Sequence, residues 1–367
     1  MNKIFIFLFI VLFSLTACKY KQNTGFSDES GNTEISEADK QFQIDKENLL
    51  SEDLNKKGLE FYKIQDYENA QRYFKEAAGL DYYLNATIYD NAYFDQIFSP
   101  ACYNYACVRA IQYGNNENKD LNEIIKYLSW AFDLDTKWVA KAEKDKDLVS
   151  IKESEEFQQL YARSILRYYI EKNDFDSFKN ELPELKNIDA FDNFAKSTLF
   201  YAVKEKKINF IKYLLDNKAN VNRGFIGNNS PIFYLFFSRD ERNYEVIKFL
   251  VDNGADINAR FKRDPSYREY QFPAEDSDVI IEDCINDDET LLNLALQGVS
   301  KIYIKLLFDN NVKLDVKMHS SPQPESSFIY VLSCEEDLFN FVIDLLKKRE
   351  DGAEYIELMN ERKKELL

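Results

Sequence analysis

A hexapeptide pattern recurs at a fixed spacing in the second half of the chain, and this repetition restricts the possible folds more than any other feature. Residues 197–202 (STLFYA) align with residues 230–235 (SPIFYL), so equivalent positions lie 33 residues apart. A third copy occupies residues 290–295 (TLLNLA), and a weaker fourth begins at Ser327 (SFIYVL). A period of this length predicts short units that bury their apolar faces only by stacking on each other.

Each of the first two copies is followed by a second apolar pattern and then by a polar turn. Paired apolar residues at 214–215 and 250–251 precede the turn sequences 217–222 (NKANVN) and 253–258 (NGADIN). Together these features resemble the ankyrin repeat, in which a TPLHxA motif opens the inner helix of a helical hairpin. The resemblance implies paired helices joined by projecting finger loops, and it is closest over residues 190–310.

The chain departs from the ankyrin motif at the position that usually holds histidine. That position is occupied by Phe200, Phe233, Asn293 and Tyr330, and the one histidine of the chain, His319, lies in a predicted loop. The histidine ring normally bridges neighbouring backbone in this family. We therefore expect aromatic packing to supply more of the stability between repeats here.

Residues 51–80 show helical periodicity of a different kind. Two apolar faces are predicted there, one at Leu54, Gly58 and Phe61 and the other at Tyr67, Ala70, Phe74 and Ala77. The spacing resembles a tetratricopeptide repeat, in which small residues let two helices approach while bulky ones fill the seam. A degenerate second unit is predicted over residues 101–113 and 121–134, with a closing unit over 138–160.

The start of the chain predicts its location. The apolar run at residues 4–13 (IFIFLFIVLF) is too short for a hydrocarbon core that needs about 20 residues, so it indicates a secretory signal. Residues 15–18 (LTAC) resemble a bacterial lipobox, which implies cleavage before Cys18 and acylation of that cysteine. Lys19 is not the aspartate that retains many such proteins on the inner membrane. The resemblance therefore favours the outer membrane, facing either the periplasm or the exterior.

Composition restricts the partners. The chain has 64 acidic and 47 basic residues, a net charge of -17. Nucleic acid and anionic lipid headgroups repel such a chain, so we expect a protein partner and no nucleic acid. The oligomeric state is not predicted. Four cysteines besides Cys18 lack metal-site spacing and are expected to be core or loop residues: Cys102, Cys107, Cys284 and Cys334.

No constellation of residues predicts catalysis, a cofactor or a metal. His319 is flanked by Ser320 and Ser321 in a proline-containing stretch, without the partners that a nucleophilic triad needs. The acidic runs at 145–147 and 282–289 lack the glycine and the alternating ligands of an EF-hand loop, so solvated charge is favoured over calcium binding. We therefore expect a protein that is not an enzyme.

The loop between the second and third repeats is an insertion. From Asn222 to Ser230 the chain advances 8 residues, whereas from Asn258 to Thr290 it advances 32. The insertion contains residue types that are enriched at binding hot spots: Phe261, Arg263, Tyr267, Arg268, Tyr270 and Phe272. Long loops also persist without use, because closing a loop four times longer costs only about 1.2 kcal/mol more. A binding role and a neutral insertion therefore remain alternatives.

In ankyrin proteins, partners contact the finger loops and the solvent side of the inner helices. At matching positions of the first repeat, the resemblance implies a surface of Asn193, Phe194, Lys196, Lys204 and Glu205. In the second repeat it implies Ile226, Asn229, Phe237 and Ser238. Core packing explains Phe194 and Phe237 equally well, so their exposure discriminates between the two interpretations.

These observations predict an all-α fold, a tandem α-solenoid. The predicted segments are a signal peptide (1–17), a flexible tether (18–48), tetratricopeptide-like repeats (49–163), an ankyrin repeat domain (164–349) with its insertion at 260–288, and a capping helix (350–367). Helices over 164–171 and 175–181 are expected to form a divergent first repeat or a cap. The favoured function is a membrane-anchored, non-catalytic scaffold for protein–protein interaction. The alternative is a ligand-binding or hydrolytic protein with a carboxylate-lined pocket under the insertion.

Overall fold

The computed structural model describes residues 37–80, 97–117, 119–225, 229–238, 240–262, 289–298, 300–314 and 336–366. Every regular element in these ranges is a helix, and extended backbone pairs only in three isolated bridges. The predicted all-α class is therefore confirmed. In the same ranges, no helix has both the length and the apolar character needed to cross a bilayer. A compact unit begins at Asp45 and includes all the contacts described below.

Helix α1 (Glu37–Asn48) lies at the end of the segment predicted to be a flexible tether. That prediction is wrong for residues 37–48. Asp45, near the end of the helix, is buried, and its Oδ2 accepts hydrogen bonds from the Tyr73 hydroxyl at 2.6 Å and from Lys57 Nζ at 2.7 Å. One acidic residue in a polar segment produces no periodic signal, so the sequence did not indicate this contact.

The first helical hairpin consists of α2 (Ser51–Lys63) and α3 (Tyr67–Ala78), as the spacing predicts. The two helices approach closely at Gly58, where an added Cβ would lie 2.6 Å from the Phe74 ring. A small residue is therefore required at this position, as the sequence indicates. The second hairpin and the helix that follows it are α4 (Ser99–Gly114), α5 (Leu121–Leu134) and α6 (Lys137–Ala142).

Helix α7 (Glu155–Lys172) crosses the predicted boundary between the two arrays. It begins where Ser154 Oγ accepts a hydrogen bond from the Phe157 N–H, and it ends before Asn173, which is left-handed. The boundary between residues 163 and 164 therefore falls inside one continuous helix, and the predicted helix start at Ser164 is wrong. Helix α8 (Phe175–Glu181) follows at its predicted position.

Three helical hairpins coincide with the first three copies of the hexapeptide. Ser197 and Thr290 cap the first and third inner helices, because each hydroxyl accepts a hydrogen bond from the N–H three residues later. The repeated Ser or Thr thus marks where a helix starts. The inner and outer helices are α9 (Thr198–Lys204) and α10 (Ile208–Asp216), α11 (Ile232–Phe237) and α12 (Tyr244–Asp252), and α13 (Leu291–Gln297) and α14 (Lys301–Asp309).

Asparagine and aspartate side chains connect the polar turn of each repeat to the turn of the next. Three such bonds form what we call the turn ladder: Asp189 Oδ1 accepts from the Asn220 N–H at 3.0 Å, Asn222 Oδ1 from the Asp256 N–H at 2.7 Å, and Asn258 Oδ1 from the Lys313 N–H at 2.7 Å. Each bond satisfies a backbone donor of the neighbouring repeat. The regular stacking therefore continues to residue 313.

A second side chain in each turn fixes the turn itself. It lies two residues before the ladder residue and accepts a hydrogen bond from the N–H of that residue. The three pairs are Asn187 with Asp189, Asn220 with Asn222, and Asp256 with Asn258. In the sequences NID, NVN and DIN, the first side chain therefore stabilises the turn, and the third side chain bonds to the next repeat.

Aromatic rings pack between repeats at the position that usually holds histidine. Phe200 stacks on Phe225 in the next turn, with ring centroids 5.0 Å apart and 1° between the planes. Phe233 contacts Phe261 one repeat later, with centroids 5.6 Å apart. All four rings are buried. The expectation that aromatic packing supports the contacts between repeats is confirmed for these two junctions.

Two helices, α15 (Glu336–Leu346) and α16 (Ala353–Leu366), end the described part of the chain. Met359 of α16 is buried and belongs to the same apolar core as the ankyrin-like helices. Cys102 and Cys107 are buried free thiols, as expected. The fourth hexapeptide and His319, together with Cys18, Cys284 and Cys334, lie outside the described residues.

Replacing Asn222 with Ala should lower the free energy of unfolding by about 1–2 kcal/mol, because two bonds between neighbouring turns are lost. Besides accepting from Asp256, the Asn222 side chain donates to the Gly254 carbonyl. Asn209 is exposed on α10 and serves as the control, with an expected change below about 0.5 kcal/mol for Asn209→Ala. Urea denaturation measures both variants, and equal effects would contradict a stabilising role for the ladder.

Candidate partner-binding surface

An antiparallel bridge closes the base of each finger loop. The three bridges join Phe191 to Ser197, Phe225 to Asn229, and Arg260 to Thr290. At the third finger, the Phe261 N–H also donates to the Glu289 carbonyl at 2.8 Å. The insertion is therefore a lengthened third finger whose two ends are held together like those of the shorter fingers.

The first two fingers approach closely at Gly224. Its carbonyl accepts a hydrogen bond from the Ser197 N–H at 3.0 Å. A Cβ at this position would lie 2.0 Å from Ser197 Oγ, and the φ of 131° is one that side chains with a Cβ rarely adopt. Glycine is thus needed here both for space and for backbone conformation.

The first finger is bound to helix α5 of the preceding array. The backbone N–H and the side-chain amide of Asn193 both donate to Asp133 Oδ2, at 2.9 and 2.7 Å. The same amide donates to Ser129 Oγ at 2.7 Å. Phe194 packs edge-on against Trp130, with ring centroids 5.9 Å apart. Asn193 and Phe194 of this finger therefore contact α5 of the same chain.

Two arginines of α7 complete a buried charge network around Asp133, which is only 4% exposed. Arg163 donates to Asp133 Oδ1 at 2.6 Å. Arg167 donates to the Asp133 carbonyl at 2.7 Å, and its guanidinium lies 4.3 Å from the centroid of the Tyr201 ring. Through these contacts, α7 connects α5 of the first array to α9 of the second. We call this set of contacts the junction network.

Burial raises the pKa of Asp133 to about 6, although the charge of Arg163 opposes the shift. Between about pH 4 and 6, Asp133 is therefore protonated to a greater extent in the folded protein than in the unfolded chain. The contribution of this group to the free energy of unfolding consequently falls as the pH rises through that window. Burial also raises the pKa of Tyr201 well above its ordinary value. Its hydroxyl therefore stays protonated and donates to Asp192.

The second finger and helix α11 also make internal contacts. The Asn229 side chain donates to the Lys262 carbonyl at 2.8 Å and accepts from the Lys262 N–H at 2.9 Å. Phe237 is half-buried, with its ring 5.4 Å from that of Phe261. Ser238 is half-buried as well, and its hydroxyl donates to a carbonyl of α11. Asn229 therefore joins the second finger to the third, and Phe237 packs α11 against the third finger.

Several residues predicted to face a partner are therefore covered by the protein itself. Lys196 is 8% exposed, Asn229 5% and Phe261 6%, and we reassign these three to internal packing. Asn193 and Phe194 are half-buried against the preceding array. A motif derived from single repeats contains no information about a neighbouring array. It therefore predicts that the first finger is exposed to solvent, whereas α5 covers it in the structure.

The rest of the predicted surface lies at the end of α9, in the second finger and in the insertion. Glu205 is exposed and Lys204 is half-buried. Six predicted residues lie outside the described ranges and stay predictions: Ile226, Arg263, Tyr267, Arg268, Tyr270 and Phe272. Among the described residues, Glu205 is therefore the one predicted surface residue that is fully exposed.

An open cavity of about 530 Å³ lies on the first array. It is lined by Cys107, Asp145 and Asp147, the one compact group of possible metal ligands among the described residues. Both carboxylates already have donors, since the Tyr103 hydroxyl donates to Asp145 at 2.8 Å and the Tyr62 hydroxyl to Asp147 at 2.7 Å. Burial raises the pKa of the Cys107 thiol, which stays protonated. The two carboxylates are half-buried in an internal network, whereas Lys146 of the same run is exposed, so the run 145–147 is only partly solvated.

The sequence interpretation missed the junction network, although a signal for it was present. Asp133 interrupts the apolar stretch 130–134 (WAFDL), and Arg163 and Arg167 are four residues apart on one face of a helix. Charged residues are rarely buried unless they are paired. A carboxylate within one apolar helical face and two arginines on another would have indicated a buried ion pair.

A family model for ankyrin repeats, in three copies, matches residues 164–261. The match covers α8 to α12, the C-terminal part of α7 and the first two fingers, and it ends at the root of the third finger. No curated protein sequence matches the chain. The chain therefore contains ankyrin repeats over residues 164–261, and the turn ladder extends the same stacking beyond them.

Replacing Asp133 with Ala should lower the free energy of unfolding by about 3 kcal/mol, because Arg163 would stay largely buried without its carboxylate. The Arg163 side chain is only 15% exposed. Asp176 provides the matched control, since its carboxylate is 90% exposed and, among the described residues, pairs only with Lys179. Asp176→Ala should change stability by less than about 1 kcal/mol. Equal destabilisation of the two variants in urea would contradict the importance of the network.

Proposed function

We propose that the ankyrin repeats at residues 164–261 are the partner-binding part of a non-catalytic scaffold for protein–protein interaction. Stacked repeats of this kind generally bind proteins along inner helices and fingers. The observation that carries the proposal is the third finger. Its base is closed by the Arg260–Thr290 bridge, as in the shorter fingers, so both ends of the insertion are held at the edge at which ankyrin repeats bind partners.

The internal contacts of the fingers favour binding to a preformed surface. The first finger is held by Asp133, and the second is bonded to the third through Asn229 and Lys262. Ordering these loops before a partner arrives reduces the conformational entropy that is lost on binding.

The proposal includes a lipid anchor at Cys18 in a bacterial envelope, with the outer membrane favoured. Its support is the apolar run at 4–13 followed by the lipobox-like residues 15–18. Stable membrane anchoring requires two membrane-binding signals, such as two acyl chains. A bacterial lipoprotein carries three acyl chains and therefore exceeds this requirement. The scaffold would then hold its partner at the membrane surface.

Deleting residues 262–286 should weaken capture of the partner, because it removes the aromatic and basic side chains of the third finger. The measurement is affinity capture from the native envelope, combined with crosslinking and mass spectrometry. Circular dichroism should show unchanged helicity, because the helices of the hairpins remain intact. A second variant carries a scrambled insertion of the same length and composition, and it should also capture the partner weakly because the order of the side chains is lost. Full capture of the partner by either variant would contradict a specific role for the insertion.

Replacing Cys18 with Ser should release the protein from the membrane fraction, because the acceptor of the acyl chains is lost. Ultracentrifugation of cell extracts and mass spectrometry of the N-terminal peptide measure the outcome. Cys102→Ser is the control, since this buried cysteine should not affect membrane attachment. Persistence of the Cys18→Ser variant in the membrane together with a processed N-terminus would contradict the anchor.

A further inference from the structure

An open cavity of about 440 Å³ lies where α7 and α8 meet the segment after α6. It is distinct from the fingers and from the cavity lined by Cys107. Three glutamates, Glu143, Glu181 and Glu184, line it together with the rings of Phe157 and Tyr161. None of these carboxylates forms an ion pair with another described residue. The cavity therefore combines unpaired negative charge with an aromatic wall.

The lysines at the edge of the cavity are engaged elsewhere. Lys152 Nζ donates to the backbone carbonyl of Glu143 at 2.7 Å, which leaves the Glu143 carboxylate unpaired. Lys186 Nζ pairs with Glu155 at 2.6 Å. Neither ammonium forms an ion pair with a glutamate of the cavity, and three glutamates against two lysines leave the lining with a net negative charge. Burial and the charges of Glu184 and Glu143 raise the pKa of Glu181, as expected for a carboxylate in an acidic environment.

The aromatic wall adds a second kind of attraction for a cation. The Phe157 and Tyr161 rings stack with centroids 6.0 Å apart and 18° between their planes. Burial and the nearby Glu143 raise the pKa of Tyr161, so its hydroxyl stays neutral. That hydroxyl makes no hydrogen bond with a described residue. A cation held near a ring face is attracted by the ring electrons, and this attraction adds to that of the carboxylates.

The spacing of the glutamates favours an organic cation over a metal ion. The one group in the described chain compact enough for a metal is Cys107 with Asp145 and Asp147, and it includes none of these glutamates. A guanidinium or an ammonium on an alkyl stem is larger, and its stem can lie against aromatic rings. Carboxylates that are spread around an open cavity suit such a group.

We propose that this cavity binds an arginine or lysine side chain from a basic segment of a protein partner. Charge complementarity identifies the occupant, because the cavity belongs to a chain with a net charge of -17 and its three glutamates have no ion-pair partner among the described residues. The surface is separate from the fingers. Its test therefore does not depend on the partner surface proposed for the ankyrin repeats.

The test uses a fluorescein-labelled peptide, Gly-Arg-Gly-Arg-Gly, titrated with the full chain and followed by fluorescence anisotropy at low salt. Glu181→Gln combined with Glu184→Gln should weaken binding about fivefold, because two partly exposed charge pairs are lost. The matched control is Glu245→Gln combined with Glu354→Gln. These two glutamates are exposed on other helices, and the control changes the net charge by the same amount. It should weaken binding by less than about twofold.

A peptide with citrulline in place of arginine keeps the shape and removes the positive charge, so it should bind at least about fivefold more weakly than the arginine peptide. Three results would overturn the proposal. They are equal weakening by the cavity and control variants, equal binding of the citrulline peptide, and no measurable binding of the arginine peptide to the unaltered chain. Unchanged thermal unfolding of the Gln variants checks that the fold is retained.

Discussion

A buried carboxylate, Asp133, joins the two helical arrays of this protein. It accepts hydrogen bonds from Arg163 and from both the backbone and the side chain of Asn193. An isolated charge at this position would be costly to bury, but here each oxygen has a donor. Since Asn193 is in the first finger and Arg163 is on α7, the position of the finger is set by the preceding array. The repeats that follow are then placed relative to that finger.

From the first finger onward, each repeat is positioned by its predecessor through two recurring contacts. The turn ladder joins backbone and side chain at three successive turns. Buried aromatic pairs, such as Phe200 with Phe225, fill the space behind the fingers. Because each contact involves only neighbouring repeats, stability accumulates along the chain as in other stacked repeats.

The sequence predicted those features that depend on local pattern. The hexapeptides identified the inner helices, the close approach at Gly58 followed from its spacing to Phe74, and the loss of histidine correctly indicated aromatic packing. Contacts between the arrays could not be predicted in this way. A finger residue such as Lys196 appears solvent-exposed in a repeat motif, and only the three-dimensional arrangement shows that it is buried. The helical end of the predicted tether was missed for the same reason, because Asp45 bonds to residues of the next two helices.

Internal contacts order the first finger and the base of the second. The junction network is the part on which that order depends. Hydrogen exchange at the Asn193 amide tests it most directly, since this N–H donates to Asp133. If the arrays are joined as described, the amide exchanges only through the large opening that also releases α5, so its protection matches that of α5. Exchange at the rate of an exposed loop amide while α5 stays protected would contradict the joining of the two arrays.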